Sequence, residues 1–531
     1  MENSNVKQGH PKGLYLLFFT EMWERFSYYG MRAIFILFMT KALFIDKASA
    51  SNIYGSYTGL VYLTPLLGGY IADRFWGNRR SILIGGCLMA IGQFLMFLSG
   101  STVAEAGQNA SSISMMWAGL TFLIIGNGFF KPNISTMVGQ LYPKSDHRID
   151  GAFTIFYMGI NLGAFFSPLI CGSLGDTGNM HDFRYGFLAA CIGMIISTIS
   201  FEILKNKYLV TSEGAPIGMP KAKLDPKTGL TILGAVALIF GLLNFTKIVG
   251  FFAGDEALLN TDSKAYAIAH IDLIGYLIYS AIIIMPLIIF SDRTLEKDEK
   301  QRISVIFILA FFVVFFWACF EQAGASLTLF ADAQTNRTIG GWTMPASWFQ
   351  SINPLGIIVL APIFTMFWGM LSKRNLEPSS PLKMAFGLLL VAIGYVVIAF
   401  GVHGVDAQTK ISMWWLVALY ILHTMGELSL SPIGLSMVSK LAPLRFSSLL
   451  MGTWFLANAV ANKFAGTLSA LIPPGAGEEA AKPGAVLPNF LGIEINNLFT
   501  FFCVFIALTG TAALVLFGMY KWLEKRMHGV K

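Results

Sequence analysis

The sequence predicts an all-α polytopic membrane protein with about fourteen transmembrane helices. Three observations point there. Hydrophobic residue types make up 55% of the chain, charged ones only 13%, and mean hydropathy is +0.63; a soluble chain of this length needs more charged surface. Apolar windows of about 20 residues, the length that crosses a bilayer core, recur along nearly the whole chain. The loops between them alternate between basic and nearly neutral.

The first six spans are read at roughly 14–42, 52–75, 79–99, 114–140, 150–173 and 183–205. A second six are read at roughly 302–327, 346–371, 382–402, 411–438, 447–470 and 495–521. Two further apolar stretches, about 229–250 and 268–290, lie between the groups. The organisation expected is a six-helix bundle over 14–205, a connection over 206–301 with two extra helices, a second bundle over 302–521 and a basic tail over 522–531. The first span is too long for a signal-peptide core and no small-residue cleavage site follows it, so it is expected to be retained. Cys87, Cys171, Cys191, Cys319 and Cys503 all fall in apolar runs and read as buried thiols rather than a disulfide framework.

About 25 of the 37 lysines and arginines lie in one set of loops and near the termini, and about 6 in the other set. The positive-inside rule then puts that basic set, and both termini, in the cytoplasm, for a protein of the cell (inner) membrane. The net charge of +7 mostly reflects this asymmetry. Nucleic-acid binding is a poor reading, because the basic residues sit in short loops rather than on one domain face.

Between the second and third spans runs "GGYIADRFWGNRR", with the glycine, D-R and G-x-R-R pattern of a tight inter-helix turn carrying charges. That motif and the six-plus-six layout resemble the major facilitator fold, in which substrate binds near the membrane midplane between two halves.

The first span carries "EMWERFSYYGMR", which places Glu21, Glu24, Arg25 and Arg32 at lipid depth. Each charge at a helix centre costs at least about 2.5–3.5 kcal/mol, so all four need partners or water. Glu21 and Arg25 are i,i+4 with the acid first, the better orientation. Positions 21, 25, 28, 29 and 32 share one face, a polar stripe expected to point into the bundle. Matching charges occur in other apolar runs: Lys131 in "GNGFFKPN", Glu321 in "FWACFEQAG" and Glu427 in "LHTMGELSLSP". Static buried ion pairs are weak stability devices, so groups that titrate and exchange partners, as in a proton-coupled carrier, are the stronger reading.

These motifs resemble the proton-dependent oligopeptide transporters, the POT family of peptide carriers within the major facilitator superfamily. The resemblance covers essentially the whole chain. It rests on "EMWERFSYYGMR", "YLTPLLGGYIADR", "GNGFFKPN", "FYMGINLGAFFSP" and "GELSLSPIGLSMVSKLAP", in the family's order. The extra helix pair is similar to that of bacterial members. The resemblance implies a proton symporter for di- and tripeptides, with protons as coupling ion and no cofactor. It implies proton coupling by Glu21, Glu24, Arg25, Lys131 and Glu427. Arg32 and Lys131 are implied to face the peptide carboxylate and Glu427 its amino group, with Asn353 nearby. Asn161 is implied to touch the peptide backbone, and Tyr29, Tyr62, Tyr157, Trp317, Ser431 and Trp454 to line the cavity. Arg32 with Glu321 would close the outside, and Lys131 with Glu427 the cytoplasmic side. Some members carry a histidine on the second helix where this chain has Gly55, so its carboxylates are expected to carry more of the coupling. His423 lies four residues before Glu427 on the same face and is expected to be a packed, hydrogen-bonded histidine.

Elementary chemistry leads to the same cargo. A short peptide is a zwitterion, so its site needs cations on one side and an acid on the other. The first half offers Arg25, Arg32 and Lys131, and the second Glu321 and Glu427. Aromatic walls make few demands on side-chain identity, so broad selectivity is expected, with free amino acids too short to reach both poles. No G-x-x-x-x-G-K-[ST] loop occurs, which argues against direct use of ATP. The scattered histidines and unpaired cysteines give no metal-ligand spacing. Trp414, Trp415 and Arg184 read as interfacial, and Lys247 and Lys463 as snorkelling. Two competing readings stand: a carrier of another solute, such as nitrate or a drug-like anion, and a membrane enzyme using Asp146 and His147 of the "KSDHRID" loop. The lipid bilayer is an expected partner; the oligomeric state is not legible.

Overall fold

The computed structural model describes residues 9–143, 146, 148–211, 213–220, 226–406, 409–473 and 487–529. A chain in lipid must satisfy its backbone N–H and C=O groups internally, so the apolar stretches are helical. The first group comprises α1 (Lys12–Leu37), α2 (Lys47–Ile71), α3 (Gly77–Ser101), α4 (Ala110–Gln140), α5 (Ile149–Gly175) and α6 (Phe183–Tyr208). The connection holds α7 (Pro226–Leu243), α8 (Phe245–Ala253), α9 (Asp255–Leu259), α10 (Lys264–Ala269) and α11 (Leu273–Phe290). The second group comprises α12 (Lys297–Phe320), α13 (Ser326–Gln334), α14 (Ile352–Lys373), α15 (Ser380–Val402), α16 (Met413–Leu441), α17 (Ser447–Ser469) and α18 (Leu498–Arg526). Helix starts are fixed by side-chain caps: Asp46, Asn109 and Asn497 accept backbone N–H bonds from Ser49, Ser111 and Thr500.

Among the described residues, ten stretches are long and apolar enough to cross a membrane, or eleven when the α7–α8 pair, bent by 74°, is taken as one span. The longest, Lys47–Ser101, is two passes, α2 and α3, and the polar-lined α1 and α17 lie outside that set. Counted with these, the helices and helix pairs of spanning length among the described residues come to about fourteen, the number the sequence reading expects. Alternation puts the start of α1 and the end of α18 on one face, the terminal face, with the α1–α2 and α3–α4 loops on the opposite, far face.

In the first group α1 packs on α5 and α6, and α3 on α4 and α6. In the second, α15 packs on α16 and α18, and α12 on α17. The groups meet mainly along α2–α17 and α5–α14. Small two-stranded pieces decorate the far face, such as Thr335–Asn336 running parallel to Ile411–Ser412.

The "ADRFWGNRR" turn depends on Gly77. Its φ is +70°, and a Cβ there would fall 2.3 Å from the Met219 carbonyl oxygen, so glycine fits on both counts. The turn ties the first group to itself. Arg79 donates to Asn206 and to the Leu209 carbonyl, and Asn78 donates to Asn133 on α4 at 2.9 Å.

Four features depart from the sequence reading. The stretch read as one span over 229–250 is two helices, α7 and α8, bent by 74° at Asn244. The seventh span is not continuous over 302–327: α12 stops at Phe320, a 3-10 turn covers Glu321–Gly324, and the backbone breaks at Ala325 before α13. The eighth opens as a 3-10 turn, Ala346–Ser351, rather than as an α-helix. Lys463 does not snorkel. It is 3% exposed and held between helices. Of the loop pair considered for an enzyme, Asp146 is bound to Arg148, and His147 lies outside the described residues.

Close helix contact in lipid relies on small residues. A Cβ on Gly68 of α2 would lie 2.0 Å from the Gly128 carbonyl oxygen of α4, whereas one on Gly369 of α14 would meet nothing within 4 Å. Gly68→Ala is expected to destabilise the protein by about 1–3 kcal/mol. In detergent its melting temperature should drop below that of wild type, while Gly369→Ala stays level with wild type or above it.

Candidate functional site

The polar stripe of α1 opens on a cavity of about 320 Å³ between the two groups. Glu21, Arg25, Tyr29 and Arg32 line it from α1. Tyr28, on the same stripe by sequence, does not: it is 3% exposed, with Arg25 5.4 Å over its ring. Glu24 also lies outside the cavity. It is buried in the first group and accepts a 3.3 Å hydrogen bond from Asn127 of α4. Arg25 gathers both acids. Its Nε lies 3.0 Å from Glu21, and it donates twice to Glu24, once from Nη2 at 2.8 Å. One guanidinium thus answers two carboxylates, which matches its fixed fork of donors.

Lys131 enters from α4 beside Pro132. The proline has no N–H to give the Gly128 carbonyl, and α2 approaches that oxygen at Gly68. The same approach brings Tyr62 of α2 under Lys131, whose ammonium lies 4.2 Å from the ring centroid, a cation–π distance. Tyr157 and Asn161 line the cavity from α5, where Asn161 donates back to the Tyr157 carbonyl at 2.9 Å.

The second group supplies the opposing acids. Glu321 stands at the break that ends α12, and its Oε2 lies 2.9 Å from Nη1 of Arg32. Both are buried, so neither is screened by water. Glu427 on α16 accepts a 2.8 Å hydrogen bond from Asn353 of α14, and Asn353 also donates to Thr424. No ion pair within 4.0 Å joins Glu427 to Lys131: each faces the cavity with a different partner. Trp317 and Ser431 also line the cavity. Trp454 lies instead in a smaller adjoining pocket of about 140 Å³, which shares Tyr62, Trp317 and Ser431 with the main one.

Several lining residues are additional to the sequence reading. Gln350 donates to the Ala33 carbonyl of α1 at 3.3 Å and to Thr328 at 3.0 Å, so it crosses between groups. Its signal was an isolated amide three residues before Asn353. Tyr420 and Phe320 also face the cavity, Tyr420 two helical turns before Glu427 on the same stripe. His423 lines it as well, but is 2% exposed with its ring beside Tyr395 and Phe320. Its Nε2 has no hydrogen-bond partner, and the ring is held by its packing and by a backbone hydrogen bond with Val391 of α15.

Contacts between the groups concentrate toward the far face. Beyond Arg32–Glu321, Lys41 pairs with Asp332 at 2.7 Å and Asp176 accepts the Ala346 N–H at 2.9 Å. Ser351 donates to the Phe165 carbonyl at 2.8 Å. The cavity is thus bolted on one side, while its terminal-side cation and acid stand apart. Among the described residues, no cluster of histidine, cysteine or carboxylate side chains could hold a metal ion.

Known proteins show the same arrangement of sequence and fold. The chain is 35% identical over 475 residues to the peptide transporter YePEPT of Yersinia enterocolitica subsp. palearctica, covering 87% of this chain and 88% of that protein. It is 34% identical over 474 residues to the di-/tripeptide transporter of Lactococcus lactis subsp. cremoris, covering 86% and 90%. The crystal structure of a peptide transporter, POT, in complex with sulfate superposes with a TM-score of 0.81 at 32% identity, covering 99% of this chain and 97% of that one. The family model PTR2, described as the POT family, matches residues 79–480. With three quarters of its length inside that match and the fold shared end to end, the chain belongs to the POT family of membrane transporters.

Proposed function

We propose that this chain is a proton-coupled symporter that imports di- and tripeptides by alternating access. The observation that carries the reading is the polarity of the cavity: Arg25, Arg32 and Lys131 face it from the first group and Glu427 from the second, with Arg25, Arg32 and Glu427 buried and Lys131 half-buried. A zwitterion of matching length neutralises both poles at once and draws the groups together. The names of the similar transporters support peptide as cargo.

In this scheme the terminal face is cytoplasmic, in keeping with its excess of lysine and arginine. The peptide carboxylate sits between Arg32 and Lys131 and its amino group at Glu427, which Asn353 orients. Asn161 meets the backbone amide, and Tyr29, Tyr62, Tyr157, Trp317, Ser431 and Trp454 form walls that accept varied side chains. In the outward-open state Arg32 and Glu321 are apart and Lys131 is held by Glu427. Peptide and proton enter, neutralisation of the carboxylate frees Lys131, and Arg32–Glu321 closes behind the cargo. Glu21, Glu24 and Arg25 pass the change in charge to Lys131. The pattern observed, with Arg32–Glu321 joined and Lys131 free of Glu427, corresponds to the stage in which cargo leaves toward the cytoplasm.

Two measurements test this. Liposomes holding the purified protein should accumulate labelled dialanine only under an inward proton gradient, and Glu427→Gln should abolish that accumulation. A folded wild-type protein that takes up no peptide with or without the gradient would move a carrier of another solute, such as nitrate or a drug-like anion, to first place. Acetylating the dipeptide's amino group removes one charge-assisted contact, worth about 1.5–3 kcal/mol. The concentration giving half-maximal competition should therefore rise about 10- to 100-fold, and an unchanged value would remove Glu427 as the amino-group partner.

A further inference from the structure

The connecting helices have no part in the scheme above, yet α11 is seated in the seam between the two groups. On the far half of that seam α2 and α17 meet backbone to backbone. A Cβ on Gly55 would fall 2.7 Å from Cα of Gly466, and Ser51 and Ser469 share a 2.9 Å hydrogen bond. One turn deeper, a Cβ on Gly59 would lie 2.9 Å from Cδ1 of Ile278, a fully buried α11 residue, and 3.2 Å from the Ala459 carbonyl of α17. Three helices therefore converge on the Gly59 position.

The same place holds a buried cation. Lys463 of α17 is 3% exposed, and its Nζ reaches Ser56 of α2 at 2.9 Å and Asp272 at 2.8 Å. Asp272 caps α11 by accepting the Gly275 N–H at 2.9 Å, so the carboxylate that holds Lys463 also begins the helix that covers the seam. One ammonium thus joins the first group, the second group and the connection. Parting α2 from α17 strips Lys463 of Ser56 and pulls α11 off at least one of its two supports. A buried charge that loses a partner is strongly penalised.

We propose that α11 is a strap across the α2–α17 seam, fastened by Lys463 and Asp272, that sets the balance between the far-side-closed and far-side-open states. The proposal rests on the alternating-access reading but not on the identity of the cargo. Lys463 and Asp272 act as positioning residues: they lie outside the cavity and touch no substrate. The extra helices are then a brake on opening rather than a passive insertion in lipid.

The test measures conformation, not uptake. Nitroxides are attached at Ala106→Cys on the α3–α4 loop and Thr338→Cys on the far face of the second group, both exposed, in a Cys87→Ser, Cys503→Ser background. Distances are read by double electron–electron resonance in nanodiscs without substrate. Asp272→Asn keeps an N-cap side chain and removes only the charge. It should raise the ratio of the longer, far-side-open distance to the shorter one about tenfold, and Lys463→Gln should do the same. Ser56→Ala, which leaves the ion pair intact, should give a smaller shift in the same direction and serves if a charge variant fails to fold. Unchanged distributions in the folded variants would overturn the strap. Peptide uptake that fails in wild type while the distances still shift would overturn the cargo and leave the strap standing.

Discussion

Charge removed from water has to be answered by other charge or by hydrogen bonds, and the architecture follows from that constraint. Arg25 can sit at lipid depth because Glu21 and Glu24 both reach it, and Glu24 because Asn127 adds a donor. Arg32 is matched by Glu321 from the other half of the chain. Neither half satisfies its own polar groups completely, so the interface between them is where the remainder meets. That incompleteness separates a carrier from a static bundle. A fully self-satisfied half would have no electrostatic reason to change partners.

The helices supply positions that such partners need. Glu321 can face Arg32 because α12 ends there and the chain turns through a 3-10 segment before α13. Lys131 is placed by a proline that leaves a carbonyl bare and a glycine on α2 that accepts the close approach. Asn353 reaches Glu427 from the first turn of α14, just after a 3-10 entry. The polar groups thus sit at interruptions of regular structure, where backbone groups released from the helix must be satisfied by protein rather than lipid.

Much of this was legible in the sequence. Hydropathy located the passes because lipid imposes one length scale, and helical periodicity placed Glu21, Arg25, Tyr29 and Arg32 on one cavity wall. What escaped was set by tertiary contact. Tyr28 shares that stripe, yet its ring packs inside the first group, since neighbouring helices decide where a stripe's edge points. The break after Phe320 carries no proline, and the run around it is apolar enough to read as one helix. Trp454 turned into a side pocket across Gly434, a packing choice invisible in one dimension. Lys463 looked like a snorkelling residue because its partners, Ser56 and Asp272, are distant in sequence.

The Gly55–Gly466 contact has a consequence for how such chains can diverge. Where two backbones touch, the residues on either side cease to be independent choices. A ring at position 55 could be accommodated only if α17 withdrew from 466, and with it the serine pair one turn away. A bulky side chain at this point of the second helix and a glycine-sealed seam therefore exclude one another. A lineage moving between them has to change both helices together, because each intermediate with a side chain on one helix alone would be wedged open.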